Sequence, residues 1–217
     1  MARRRRRTAP RRRAARAPGP EATRYTRAVS ILLSTTDPRW VEVALSDLDA
    51  TLGDHAHCEK KAAATAVKLI ADHPDRPELV RAMARLAQEE TQHFLAVLAE
   101  LARRGRTLPP DGGDPYVQAL LREMRSGAGR LVDRLLVGAL VEARSCERLE
   151  LLGRALPEGS LRDLYLRFAA AEAGHERLFV QLARSEAGPE AANRRLAELA
   201  AREAEVVSAL PLEPRIH

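Results

Sequence analysis

Two Glu-x-x-His motifs, Glu90-Thr91-Gln92-His93 and Glu172-Ala173-Gly174-His175, lie within long stretches of helical periodicity. A spacing of three puts the Glu and His of each motif on one helix face, where both can reach a common point. One such motif alone is usually a solvated face. Here each motif also has a glutamate mirrored across the nearest chain break. Residues equidistant from the turn of an antiparallel helical hairpin lie at the same height. The midpoint of Glu59 and Glu90 falls between Pro74 and Asp75, inside the break His73-Pro74-Asp75-Arg76-Pro77. The midpoint of Glu142 and Glu172 falls on Pro157, inside Pro157-Glu158-Gly159-Ser160. The two intervals agree, at 31 and 30 residues. A chain obeying these relations is constrained to two hairpins that face four glutamates and two histidines inward at one level.

The remaining punctuation supports an all-α bundle built from those hairpins. Asp37-Pro38 reads as the cap and first turn of a helix running to about Asp72. A second helix spans about Pro77 to Arg104, with Gly105 as its stop. Pro109 to Pro115 is a loop, and a third helical region covers about Tyr116 to Leu156 with an interruption around Gly127 and Gly129. Ser160 is expected to cap a fourth helix reaching about Ser185, and Gly188-Pro189 sets off a fifth, C-terminal helix that ends before Pro211.

Charge divides the chain in two. The net charge of +6 conceals an arm, residues 1–27, with eleven arginines and one acid, Glu21, joined to a mildly acidic body. With Pro10, Pro18, Gly19 and Pro20, the segment 1–25 is expected to be a disordered basic arm, and 26–217 the helical domain. Such an arm suits a polyanion, although a solubilising extension fits it equally well. No run of 18 uncharged apolar residues exists, and the arginines are not followed by an apolar segment of the secretory kind. Two cysteines, Cys58 and Cys146, are too few for a disulfide framework or a cysteine-based zinc site. A cytoplasmic protein with no membrane association is expected.

Four carboxylates and two imidazoles inside a bundle are prohibitively costly without cations. Two divalent ions balance four glutamates, and oxygen and imidazole donors suit iron or manganese. The expected ligands are Glu59, Glu90, His93, Glu142, Glu172 and His175. Glu147 competes with Glu142, because its midpoint with Glu172 also falls in the turn; Glu142 is preferred for its matching interval. His55, one turn before Glu59, and Glu89 are candidates for supporting the ligands, whereas His57 and His73 read as surface residues and the cysteines as small core residues.

The run from Trp40 to Leu45, the run Asp54-His55-Ala56-His57-Cys58-Glu59-Lys60-Lys61-Ala62-Ala63-Ala64-Thr65-Ala66, Glu89 to Phe94 and Glu142 to Arg148 together resemble the MiaE family of bacterial tRNA hydroxylases. The resemblance covers roughly residues 26–210 and implies a ferritin-like di-iron monooxygenase. Its substrate would be 2-methylthio-N6-isopentenyladenosine beside the tRNA anticodon, hydroxylated on the isopentenyl side chain with O2 and electrons from a reductase or ferredoxin-type partner. The same six ligands carry over. Two features depart from the pattern: the arginine-rich arm, and Ala171, where many di-iron families place an aspartate that binds a ligand histidine. Arg103, Arg104 and Arg106 after the second helix are candidate RNA contacts. A ferroxidase or manganese catalase would use the same ligands without RNA, and a non-enzymatic RNA-binding protein would need the arm but not the buried carboxylates.

Overall fold

The computed structural model describes residues 30–217; the arm expected over 1–25 lies outside them. The described residues form seven α-helices and no strand. They are α1 (Arg39–Ser46), α2 (Leu48–Asp72), α3 (Pro77–Arg103), α4 (Pro115–Arg122), α5 (Arg130–Ala155), α6 (Ser160–Ala187) and α7 (Pro189–Ala209). Helices α2 and α3 pack as one hairpin and α5 and α6 as the other, and α7 lies against α4, α5 and α6. Among the described residues no helix is long and apolar enough to cross a membrane.

Local chemistry explains most boundaries. The single first helix expected from Asp37 is instead two, because the Asp47 side chain accepts from Ala50 N at 3.0 Å and starts α2 afresh. Gly105 ends α3 at φ +69°, a conformation that a side chain would strain. Asp114 caps α4 by accepting from Val117 N at 2.9 Å, with Pro115 in the first turn. The interruption at Gly127 and Gly129 is a short 3-10 turn before α5. Ser160 is not a cap: it is the first residue of α6, after Gly159, and no side chain caps that end. Helix α6 also runs to Ala187, past Ser185.

Two apolar clusters flank the level of the Glu-x-x-His motifs. One gathers Met83, Leu86, Leu135, Leu136, Leu140 and Phe179. The other gathers Trp40, Leu52, Leu101, Leu152, Tyr165 and Phe168. Each fully buried leucine contributes about 1.5–3 kcal/mol. That apolar burial above and below offsets the cost of the polar layer between. Helix α7 is fixed by a buried ion pair, Arg144 Nη2 to Glu203 Oε1 at 2.8 Å, with Tyr116 donating to the same oxygen at 3.0 Å.

Candidate metal centre

Helical spacing delivers the six expected ligands to one point between the clusters. The ligand atoms of Glu59, Glu90, His93 and Glu172 lie within 4.8 Å of one another, and so do those of Glu90, Glu142, Glu172 and His175. Glu90 and Glu172 belong to both sets. No glutamate of the four is more than 6% exposed. His93 turns Nδ1 toward Glu90 (3.4 Å), Glu59 (3.5 Å) and Glu172 (3.6 Å). His175 turns Nδ1 toward Glu90 (2.9 Å) and Glu172 (3.0 Å). Bonds of about 2.1 Å place neighbouring oxygen and nitrogen donors roughly 3.0–3.4 Å apart, so these separations suit a shared cation.

The unsatisfied atoms point the same way. Both carboxylate oxygens of Glu90, Glu172 Oε1 and His93 Nδ1 are buried with no well-formed hydrogen bond. Such groups are costly unless a cation meets them. Electrostatics records the same crowding. Burial lifts Glu90 to about 7, against the pull of His175 and His93. Burial, then the charges of Glu172 and Glu90, hold Glu142 well above the carboxylate range. Burial disfavours charge on His93 and His175, yet the surrounding carboxylates outweigh it and push them to about 11 and about 12. Glu172 is lowered, the contacts with His175 and His93 overcoming burial. Without metal, the cluster holds protons in place of cations.

Around the six, His55 Nε2 lies 2.7 Å from Glu59 Oε1, with its ring stacked on Tyr165. Burial lowers His55 to about 4, so its ring is neutral and Nε2–H donates to the carboxylate. Glu89, from α3, approaches His175 Nε2 at 3.0 Å and stands where Ala171 offers nothing. Glu147 is not in either set: its Oε2 accepts from Thr36 N and Thr36 Oγ1 and pairs with Arg144. Arg103 pairs with Glu100, while Arg104 and Arg106 both donate to Asp49, each at 2.6 Å. His57 corrects the surface reading, since it is buried and its Nε2 bonds the Pro109 carbonyl at 2.8 Å. His73 is half-buried at the end of α2. Cys58 is buried as expected, and Cys146 Sγ donates to the Ala169 carbonyl.

The sequence reading did not find Ser145, Ile216 or His217. Ser145 and Ile216 line a cavity of about 20 Å³ beside the donors, and His217 Nε2 lies 2.7 Å from Ser145 Oγ. No local pattern marks them, because the segment after α7 meets α2 and α5 only through the fold.

Residues 23–217 match the model of a family described as tRNA-(MS2IO6A)-hydroxylase (MiaE). A tRNA 2-(methylsulfanyl)-N(6)-isopentenyladenosine(37) hydroxylase of Pseudomonas putida is 40% identical over 184 residues, 84% of this chain and 89% of that protein. The Salmonella typhimurium protein of the same name is 33% identical over 113 residues, 52% of this chain and 42% of its own length. Among solved structures, a Synechococcus protein described as having aldehyde deformylating oxygenase activity superposes with a TM-score of 0.82 at 38% identity. That match covers 86% of this chain and 94% of the Synechococcus chain.

Proposed function

The chain belongs to the MiaE family of tRNA hydroxylases, and from that premise we propose that it hydroxylates the isopentenyl side chain of 2-methylthio-N6-isopentenyladenosine next to the anticodon. Its substrate is tRNA, and it is an oxygen-dependent oxidoreductase. The observation that carries the reading at the level of chemistry is the pair of imidazole Nδ1 atoms turned toward buried carboxylates that lack other partners.

The donor set fits two iron ions. Glu59 and His93 would hold one, Glu142 and His175 the other, and Glu90 and Glu172 would be shared between them. Four carboxylate charges then meet four positive charges. Bound iron supplies the activation of O2 that C–H hydroxylation requires, with electrons from a reductase or ferredoxin-type partner.

The chain's own residues supply the rest. Glu89 accepts the Nε2 proton of His175 and leaves Nδ1 as the donor atom. His55 does the corresponding work for Glu59 by holding one carboxylate oxygen. Phe168, against the His93 ring at 4.4 Å, and Leu149, at the cavity wall, keep water from the donors. Since the substrate nucleoside stands in an RNA loop, its modified base must be splayed out to reach these walls. Arg103, Arg104 and Arg106, at and just beyond the exposed end of α3, are the candidate contacts for the stem, and the cytoplasm is the compartment in which they would meet it.

The test supplies the reduced iron-loaded protein with labelled dioxygen and prenylated methylthio-tRNA, followed by nucleoside mass spectrometry. One labelled oxygen atom is expected on the side chain. Label entering only water, or equal product from Glu90→Ala, would overturn the reading.

A further inference from the structure

Nine of the ten residues lining the cavity beside the donors come from α2, α3, α5 and α6; the tenth is Ile216, from the irregular segment 210–217 beyond α7. At about 20 Å³ the cavity holds little more than a water molecule. A cavity that admits benzene is on the order of 150 Å³, and a five-carbon prenyl chain is of comparable size. Something must therefore leave before such a chain can approach the carboxylates. The helices are locked together by the two apolar clusters. The segment 210–217 has no helix of its own; Ile216 and Leu212 add to the second cluster, and hydrogen bonds hold the rest, with His217 Nε2 2.7 Å from Ser145 Oγ and Arg215 Nη1 donating to the Gly113 carbonyl at 3.2 Å. Trp40 Nε1 donates to the Arg215 carbonyl (3.0 Å), Arg148 Nη1 to the Ile216 carbonyl (3.1 Å), and Ile216 N to Asp54 Oδ2 (2.7 Å).

Ile216 is itself informative. Its side chain is fully buried, and it is a branched aliphatic group close in size to an isopentenyl chain. Ala62, Cys58 and Leu149 complete a wall that would accept either. We propose that the Ile216 side chain occupies the binding site of the substrate's isopentenyl group, and that segment 210–217 is displaced when the prenylated nucleotide enters. The exchange swaps one buried branched chain for another, so the substrate restores the apolar burial that the protein gives up. Departure of the segment also uncovers Arg148, whose buried Nε has no hydrogen-bond partner and whose guanidinium lies over the Trp40 ring. A guanidinium that thereby loses its Ile216 acceptor suits the phosphate that accompanies the base. This inference rests on the hydroxylase reading above.

Hydrogen exchange of the iron-loaded, oxidised full chain tests it, with prenylated methylthio-tRNA, with the same tRNA lacking the prenyl group, and without RNA. Peptides covering 210–217 are expected to lose protection with the prenylated tRNA only. Unchanged protection with that RNA, or equal loss with both RNAs, would overturn the proposal. Ile216→Ala gives a second measure. If the side chain competes with substrate, its removal lowers KM for prenylated tRNA several-fold, on the order of 3–10. If Ile216 were instead a fixed wall of the prenyl site, KM would rise. A separate assay of the same preparation after reduction records oxygenated nucleoside; its absence would count against the hydroxylase reading rather than against the displacement.

Discussion

Glu89 Oε2 lies 3.0 Å from His175 Nε2, joining residues 86 positions apart on opposite hairpins. The contact decides which imidazole nitrogen carries the proton, and so which one can face a metal. It also explains how the second motif manages with Ala171 where an acid is often found. Glu89→Ala is expected to weaken iron retention by about 10–100-fold. Glu89→Gln, which keeps an acceptor oxygen, should retain most of it. Iron titration of the three proteins compares them, and equal affinities would remove Glu89 from the site.

Glu142 and Glu147 are close in sequence and opposite in role. Glu142 joins the donor set, and Glu147 is engaged by Thr36 and the buried Arg144. Glu142→Ala should lower bound iron sharply with little effect on the packing of α7. Glu147→Ala should keep its iron but lose about 1–3 kcal/mol of stability, because Arg144 is deprived of one acceptor while keeping Glu203. Iron content and urea unfolding, run side by side, separate the two.

Metal uptake should release protons. In the metal-free protein Glu90 sits at about 7, His93 at about 11 and His175 at about 12. All three are raised above their ordinary values, so each tends to hold a proton that a bound cation must expel. Affinity for ferrous iron therefore rises with pH, and the share owed to Glu90 changes most steeply around pH 7. Anaerobic titration in weak buffer with a pH dye measures the release. A pH-independent affinity between about 6 and 8 would contradict this electrostatic account.

The arm is open to a direct test. Deleting residues 1–24 removes ten of its eleven arginines. Weaker tRNA binding and a shallower dependence on salt are expected, with hydroxylation surviving at saturating tRNA. Filter binding across a salt series is sufficient, and an unchanged slope would assign the arm another purpose.

What the sequence disclosed was whatever repeats along a helix. Glu90 and His93 share a face by spacing alone, and the hairpin midpoints set Glu59 and Glu142 opposite their partners. What it hid depends on chain segments that meet only in the fold. His57 looks like one more polar residue on α2 until the Pro109 loop crosses it, close enough that a Cβ at Gly53 would lie 2.5 Å from Pro109 Cγ. Asp47 broke a helix whose periodicity ran on without pause, because a side-chain cap competes with the helical ladder at that one position. Ile216 and His217 follow the last helix with no period at all, and their importance lies entirely in what they cover.

Each donor set takes three residues from one hairpin and a single carboxylate from the other: Glu172 joins Glu59, Glu90 and His93, while Glu90 joins Glu142, Glu172 and His175. Neither half of the chain contains a complete centre. Hairpins close through contacts near in sequence and form early, whereas their union is a later and more distant event. A half-formed chain would therefore offer a metal ion only an incomplete set of donors. If the centre binds iron as proposed, such an order of assembly would act as a safety catch, because oxygen chemistry would have to wait until the two halves have met.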